Sequence, residues 1–425
     1  MASASTVAVS LRPMATYKNI AVIGAGVVGT CIAAKLVEDG HGVTLIDPLE
    51  PGRATSYGNA GGIAVSAVAP LSMPGTIRKV PGWLTDPLGP LTIRWSYLPT
   101  LAPWLWRFWR AGTAEKVEKQ ADALASLLNR TYADWDPLWK AAGLDAQVKR
   151  NGCLRLYESK AEYEADLPEW NLKRSRGVRL ETIDRHEIRQ LEPDVAPIYE
   201  MAVLIPDWSW VLDPHRIVTG VADYATGRGL KRWHGKAVGV RTGQAGIEAV
   251  VTDTGVVACD AAVVAAGAWS HQMSAWLGSP VPLETERGYH MMLPKPGVQV
   301  RHYLSLGGWV MTPMEKGLRL AGTVELAGLQ AAPNWKRAEI LAERAKRVLP
   351  GLDASDGSPW MGHRPSLPDS LPVISASPHH RNVFFAFGAS HLGLTEGATT
   401  GALIADLVAG RTPAIDMTPY RIDRF

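Results

Sequence analysis

The stretch NIAVIGAGVVGTCIAAKLVEDGHGVTLIDP, residues 19–48, leaves few folds open to the chain that carries it. Ile20 to Ile23 read as a buried strand, and Gly24, Gly26 and Gly29 form a Gly-x-Gly-x-x-Gly turn. Thr30 to Asp39 read as a helix ending at Gly40, and a second apolar strand, Val43 to Ile46, ends on Asp47. The three glycines serve separate ends, since Gly24 permits the tight turn, Gly26 lets a pyrophosphate approach the backbone, and Gly29 lets helix and strand pack closely. The helix start then offers free N–H groups and a positive dipole end to phosphate. Asp47, about 20 residues on, stands where a carboxylate binds an adenosine ribose. A lone glycine pattern can be a purely structural turn, but a strand, turn, helix, strand and acid in series point to a dinucleotide.

Further segments bear on which dinucleotide. PLEPGRATSYGNAGGIAVSAVAP, directly after Asp47, has no helical period, as suits backbone run along an extended cofactor. CDAAVVAAGAWS, residues 259–270, gives a buried strand, Ala261 to Ala265, and a small-residue turn at Ala266 and Gly267. NVFFAFGASHLGLTEGATTGALIADLVAG gives a strand, Val383 to Phe387, a glycine-rich loop, and a helix from about Thr395 to Val408 closed by Gly410. That helix presents a positive dipole end to something electron-rich.

Composition removes other classes. A formal charge of +3 over 425 residues, with the basic residues scattered, does not suit nucleic-acid binding. Cys31, Cys153 and Cys259 make neither a metal-ligand spacing nor an even disulfide set, so a cytoplasmic setting is expected and no metal site. Residues 1–17 read as a flexible leader without the charge and apolar run of a signal peptide. No apolar run reaches the ~18 residues of a membrane span, which leaves only peripheral contact, on the inner face of a membrane.

GHRPSLPDSLPVI, residues 362–374, sets Arg364 among glycine, prolines and apolar residues. A guanidinium there needs an anion, and either Asp369 or a ligand could supply it. LETERGYHMMLP, residues 283–294, alternates as a strand from Tyr289 to Leu293, so Tyr289 and His290 point to opposite faces and one of them is a candidate to reach a ligand. A satisfied core or surface role is as open for His290 as a pocket role, and the same holds for His363 and His391; Arg287 reads as a surface charge. Residues 83–112 hold Trp83, Trp95, Trp104, Trp106 and Trp109 with Arg94, Arg107 and Arg110. Aromatics beside arginines suit a lipid interface, but helical core packing is the alternative and the favoured reading, since Trp104, Leu105 and Phe108 already make a buried helix face.

The motifs VIGAGVVG, TSYGNAGG, VVAAGAWS, RPSLPDSLPVI and HLGLTEGATTG resemble those of the FAD-dependent amine oxidoreductases, which include D-amino-acid dehydrogenase small subunits, glycine oxidase and sarcosine oxidase. The resemblance runs from about Lys18 to Gly410 and is greatest to the dehydrogenase branch. It implies an α/β fold in which a Rossmann-like FAD domain interleaves with a substrate domain on a mixed, largely antiparallel sheet. Residues 18–80, 200–280 and 360–425 would form the first, and 81–199 and 281–359 the second. By motif, Gly24, Ala25, Gly26, Val28 and Gly29 would hold the pyrophosphate and Asp47 the ribose. Thr55, Ser56, Asn59, Ala60 and Gly61 would lie along the cofactor, Val238 near the adenine, and Ala266 and Gly267 beside it. His391, Gly393, Leu394 and Thr395 would stand at the flavin, and Arg364 would pair with a substrate carboxylate, a grip suited to its planar fork.

The activity implied is oxidative deamination of a small amino or imino acid, most readily a D-amino acid, cyclic ones such as D-proline or hydroxy-D-proline included. Hydride would pass from the α-carbon to the flavin, and electrons to a quinone or other carrier; an oxidase of the glycine or sarcosine type would use oxygen instead. No cysteine follows Cys259, so the FAD is expected to be non-covalent. A nicotinamide dehydrogenase or a non-catalytic flavoprotein subunit would share the first glycine motif, but the former would not need HLGLTEG or the Arg-Pro element.

Overall fold

Apolar strands that are buried on both faces can only sit in the middle of a layered sheet, and the cofactor motifs supply them. The structure, a computed structural model, describes residues 17–86, 89–244 and 246–425. Of the expected leader, all but Tyr17 lies outside the described residues. A six-stranded sheet runs in the order Lys231–His234, Gly42–Asp47, Asn19–Ile23, Ala261–Val264, Val383–Phe387 and Val373–Ala376. The first five are parallel and the last is antiparallel. Ile20, Val22, Val263 and Phe384 face one way, onto helices Val27–Glu38, Pro214–Thr226 and Gly393–Ala409. Ala21, Ile23, Val264 and Phe385 face the other way, toward a small three-stranded sheet, 237–258, and helix Ser270–Trp276.

The two long helices beside the glycine turn lie close because small residues line their contact. A Cβ on Gly401 would stand 2.9 Å from the Cys31 carbonyl oxygen, so the GATTG spacing serves helix packing as well as the cofactor loop. Both helices begin earlier than the apolar pattern suggests, at Val27 and Gly393, because their first turns are made of motif residues with no apolar period of their own.

A second, nine-stranded sheet is mixed and largely antiparallel. Near one edge Glu284–Leu293 pairs with Gly317–Leu326 on one side and with the edge strand Ser358–Ser366 on the other. One face is covered by helix Lys336–Val348 through Leu293, Leu320, Leu341 and Ala345. The other face turns toward the cofactor motifs. The strands Met201–Ile205 and Ser358–Ser366 both belong to this sheet, although the sequence reading grouped 200–280 and 360–425 with the cofactor half. In the second case the reason is the continuous antiparallel ladder that Ser366 through Ser358 forms with Glu284 through Met292, which a motif-based boundary does not see. Within the tryptophan-rich segment Leu91–Ile93 is a short strand and Leu98–Ala111 a helix; Leu101 and Trp104 are buried, and Phe108 stacks on Trp104 at 5.2 Å.

Candidate active site

Between the two sheets lies a cavity of about 1560 Å³, larger than the ~300–1,000 Å³ that serves one drug-sized ligand. One end is built by the glycine turn. Gly24 has φ +110°, and a Cβ there would come 2.4 Å from the Ala265 carbonyl oxygen; one on Gly29 would come 1.8 Å from the Gly24 oxygen. The turn is therefore closed to any side chain at these positions. The Asp47 carboxylate accepts hydrogen bonds from the Ala25 N–H at 2.7 Å and the Leu49 N–H at 2.8 Å, which ties the tip of the second strand to the turn. Burial raises its pKa, against those two donors. Ser56 Oγ accepts from the Val27 N–H at 3.0 Å, so the loop after the second strand folds over the helix start.

That loop is pinned to the nine-stranded sheet. Thr55 donates to the His363 carbonyl at 3.0 Å, Thr312 to Ala60 at 2.8 Å, and the Arg319 guanidinium to Asn59 at 2.6 Å, while the Asn59 side chain accepts from the Gly61 N–H at 2.7 Å. Gly24, Gly26, Val28, Asp47, Thr55, Ser56, Asn59, Ala60, Ala266, Gly267, His391, Gly393 and Leu394 all border the cavity. Ala25, Gly29, Gly61 and Thr395 stand just behind that lining; Thr395 Oγ1 accepts from the Ala64 N–H at 3.0 Å. Val238 does not border it: its side chain is 47% exposed, and Gly235, Lys236 and Ala237 reach the wall instead. The cavity thus extends from Asp47 past one helix N-terminus to a second at Gly393, an arrangement that fits an extended dinucleotide and leaves room beside it.

That room is where Arg364 stands. It lines the cavity and donates to the Thr323 carbonyl at 3.2 Å; burial lowers its pKa, with Glu286 opposing. Space for the guanidinium comes from Gly288, where a Cβ would lie 2.3 Å from Arg364 Cζ. Asp369 is engaged elsewhere, held by Arg424 at 2.8 Å. Tyr303 and Glu286 also border this end. His391 faces it as well, exposed to the cavity, where Arg364 and Lys173 disfavour its charged form.

Of the two expected pocket residues Tyr289 borders the cavity and His290 does not, though the Tyr289 hydroxyl is engaged elsewhere. Tyr289 turns its ring to the helix-covered side of the sheet: its hydroxyl donates to the Glu325 carboxylate and accepts from the Asn334 N–H at 2.9 Å. Strand alternation puts His290 on the cavity side, but Gly58 and Trp360 cover it; Nδ1 donates to the Gly58 carbonyl at 3.0 Å and the ring stacks on Trp360 at 5.1 Å. Its pKa is lowered to about 3 by burial, then Arg319. Arg287, read as a surface charge, is fully buried and paired with Glu325 at 3.1 Å. Tyr303 and Glu286 escaped the sequence reading. Glu286 could have been found from the alternation in ETERGYH, which sets it on the face of Gly288; Tyr303 lies in a stretch with no motif.

Fold and cavity together define a dinucleotide-dependent redox protein, with Arg364 lining the space beside the cofactor end. The chain belongs to the FAD-dependent oxidoreductase family, whose model matches residues 19–407, and the residues that line the cavity fit that cofactor. It is 45% identical to a protein of Bradyrhizobium diazoefficiens named D-amino-acid oxidase, over 96% of this chain and 99% of that one. It is 30% identical to a D-amino acid dehydrogenase of Paramagnetospirillum magneticum, again over 96% and 99%. Among solved structures, glycine oxidase from Geobacillus kaustophilus shares the fold with a TM-score of 0.74 at 20% identity, covering 96% of this chain and 99% of that one. L-proline dehydrogenase from P. horikoshii does so at 0.73 and 19%, covering 96% and 98%.

Proposed function

We propose that this protein oxidises a small D-amino acid to the imino acid, which water then converts to a 2-oxo acid and ammonia. The observation that carries this reading is Arg364: a half-buried cation facing the cavity beside the cofactor end, with its nearest sequence carboxylate already bound to Arg424. Bound FAD supplies the two-electron hydride acceptor. Arg364 grips the substrate carboxylate with two parallel bonds and so fixes where the α-carbon lies. The start of helix Gly393–Ala409 turns its positive end to the cavity and favours negative charge there. Tyr303 and the tryptophan helix close the small-ligand end against bulk water. The D configuration rests on the names of the relatives, which agree on it.

The electron acceptor divides those names. The 45% relative is called an oxidase, and relatives at 27–30% are called dehydrogenases. We favour a membrane quinone, because Trp95, Trp106 and Trp109 are 69%, 53% and 55% exposed and Trp109 borders the cavity. Aromatics with neighbouring arginines suit a peripheral lipid contact, and no helix among the described residues is long and apolar enough to cross a membrane. The holoprotein should bleach anaerobically with D-alanine or D-proline and not with their enantiomers. A yellow protein that none of a panel of D-amino acids reduces would refute the activity. Peroxide formed in air at the rate of substrate turnover would refute the quinone.

A further inference from the structure

We propose that Glu286 is the second pole of the substrate site, holding the amino acid's ammonium group while Arg364 holds its carboxylate, and taking the proton that the ammonium must lose. This rests on the amino-acid reading above and assigns the proton acceptor it lacks.

Glu286 and Arg364 are directly opposed in the antiparallel ladder, so both side chains project from the same face of the sheet. Their neighbours Arg287 and Tyr289 take the other face, under helix Lys336–Val348. One carboxylate oxygen of Glu286 is anchored: Oε1 accepts from Ser366 Oγ at 2.7 Å, and that hydroxyl stands 3.1 Å from Ser390 Oγ, in a wholly buried position. The other oxygen, Oε2, has no hydrogen-bond partner among the described residues, and it is not sealed in the core, because Glu286 borders the cavity. Arg364 and Glu286 feel each other's charge, yet no ion pair within 4.0 Å joins them. A cation and an anion held apart on one wall of a cavity match a zwitterion better than they match each other.

The chemistry asks for such a group. In water an α-amino acid carries an ammonium, and bringing that charge into an apolar cavity with only a guanidinium to meet it would be costly. Its lone pair is unavailable until a proton leaves. Transfer of that proton to Oε2 turns ammonium and carboxylate into amine and carboxyl, with no net charge created in the cavity. The nitrogen lone pair is then free to assist departure of the α-hydrogen. The groups that face Glu286 are Arg364 and Ser366 from the neighbouring strand, Ser390 from the loop behind it, Leu326 from the strand on its other side, and Glu284 on its own strand. Burial raises the Glu286 carboxyl and Arg364 lowers it, leaving a base stronger than an ordinary carboxylate.

The test uses holoprotein of the wild type, Glu286→Gln and Glu286→Asp, with FAD content measured for each. Propionate, which is D-alanine without its amine, is titrated by the change in flavin absorbance, and anaerobic flavin reduction by D-alanine is followed against pH. Glu286→Gln should bind propionate roughly tenfold tighter or more and lose at least about a hundredfold in the reduction rate at low D-alanine, because an anionic neighbour is gone and an ion-paired contact with it. The acid limb of the wild-type reduction profile should disappear with it. Glu286→Asp, which keeps the charge and draws it back, should lose D-alanine reduction without gaining propionate affinity. Unchanged preference between propionate and D-alanine in the glutamine variant, or equal weakening of both ligands, would overturn the assignment while leaving the amino-acid reading intact. A wild-type protein that binds propionate but is reduced by no D-amino acid would overturn both.

Discussion

Replacing Arg364 with alanine should separate catalysis from stability. In the folded protein the guanidinium makes one direct hydrogen bond, to the Thr323 carbonyl, and burial without an ion-pair partner lowers its pKa. Its loss therefore removes a single contact of about 1 kcal/mol and relieves a desolvation cost of the same order or greater. Asp369 keeps its partner Arg424, and Glu286, deprived of a nearby cation, shifts further upward and takes a proton instead of straining the fold. A melting temperature within about 4 °C of wild type and undiminished FAD content are expected. Substrate binding loses more. A bidentate, charge-assisted contact is worth about 3 kcal/mol, and at about 1.4 kcal/mol per decade kcat/KM should fall roughly a hundredfold. Arg364→Lys should recover only part of that, since an ammonium cannot form two parallel bonds. The assay is steady-state reduction of a dye by D-amino acids and by their amides, with melting and flavin spectra run in parallel. An alanine variant that keeps its kcat/KM, or that sheds FAD and melts far earlier, would show that Arg364 serves the fold.

Asp47→Ala removes the acceptor that holds the Ala25 and Leu49 N–H groups as well as any ribose contact, so FAD should dissociate roughly ten- to a hundredfold more readily, read as flavin lost on dialysis, and none should remain on the denatured chain. Glu396 is 1% exposed with an unpartnered Oε2, and burial raises its pKa to about 8; the folded state therefore holds its proton between the ordinary carboxylate range and pH 8, and stability should decline across that window as pH rises. Glu396→Gln should flatten that decline in melting temperature, and an unchanged slope would refute the reasoning. His290 and His363 have pKa values lowered to about 3 and about 4, chiefly by burial, so the folded state binds fewer protons than the unfolded one below pH 6.5; stability should be full above that pH and fall as acid is added toward pH 4. Trp95→Ser with Trp106→Ser, neither of which borders the cavity, should abolish sedimentation with anionic vesicles while leaving dye-linked turnover largely unchanged, and vesicle binding that survives would remove the support for the lipid contact.

The cofactor half was legible because its signals are local. A strand, three glycines, a helix and an acid follow one another within residues 19–48, and the constraints that bind them act over one or two turns of chain. Asp47 bonds to Ala25, close enough in sequence for spacing to report it. Alternation likewise separated the two faces of the strand at residue 289. It could not say that one face would be roofed by helix Lys336–Val348 and that His290 on the other would be covered by Gly58, which is 232 positions away in the chain.

The substrate end was decided by tertiary structure, for the same reason. By itself the sequence established a dinucleotide turn, an arginine in need of an anion, and a resemblance that named FAD. It left both Asp369 and a ligand open as that anion, and only the fold, by bringing Arg424 onto Asp369, removed the first. Arg287 and Arg364 are both arginines in apolar surroundings of neighbouring strands, yet pairing register gives Arg287 a buried carboxylate and gives Arg364 the space above Gly288. A buried charge is silent in sequence because its energy depends on which groups, distant along the chain, arrive to meet it; register and packing choose those groups, and here they set Arg364 and Glu286 side by side on the wall of one cavity.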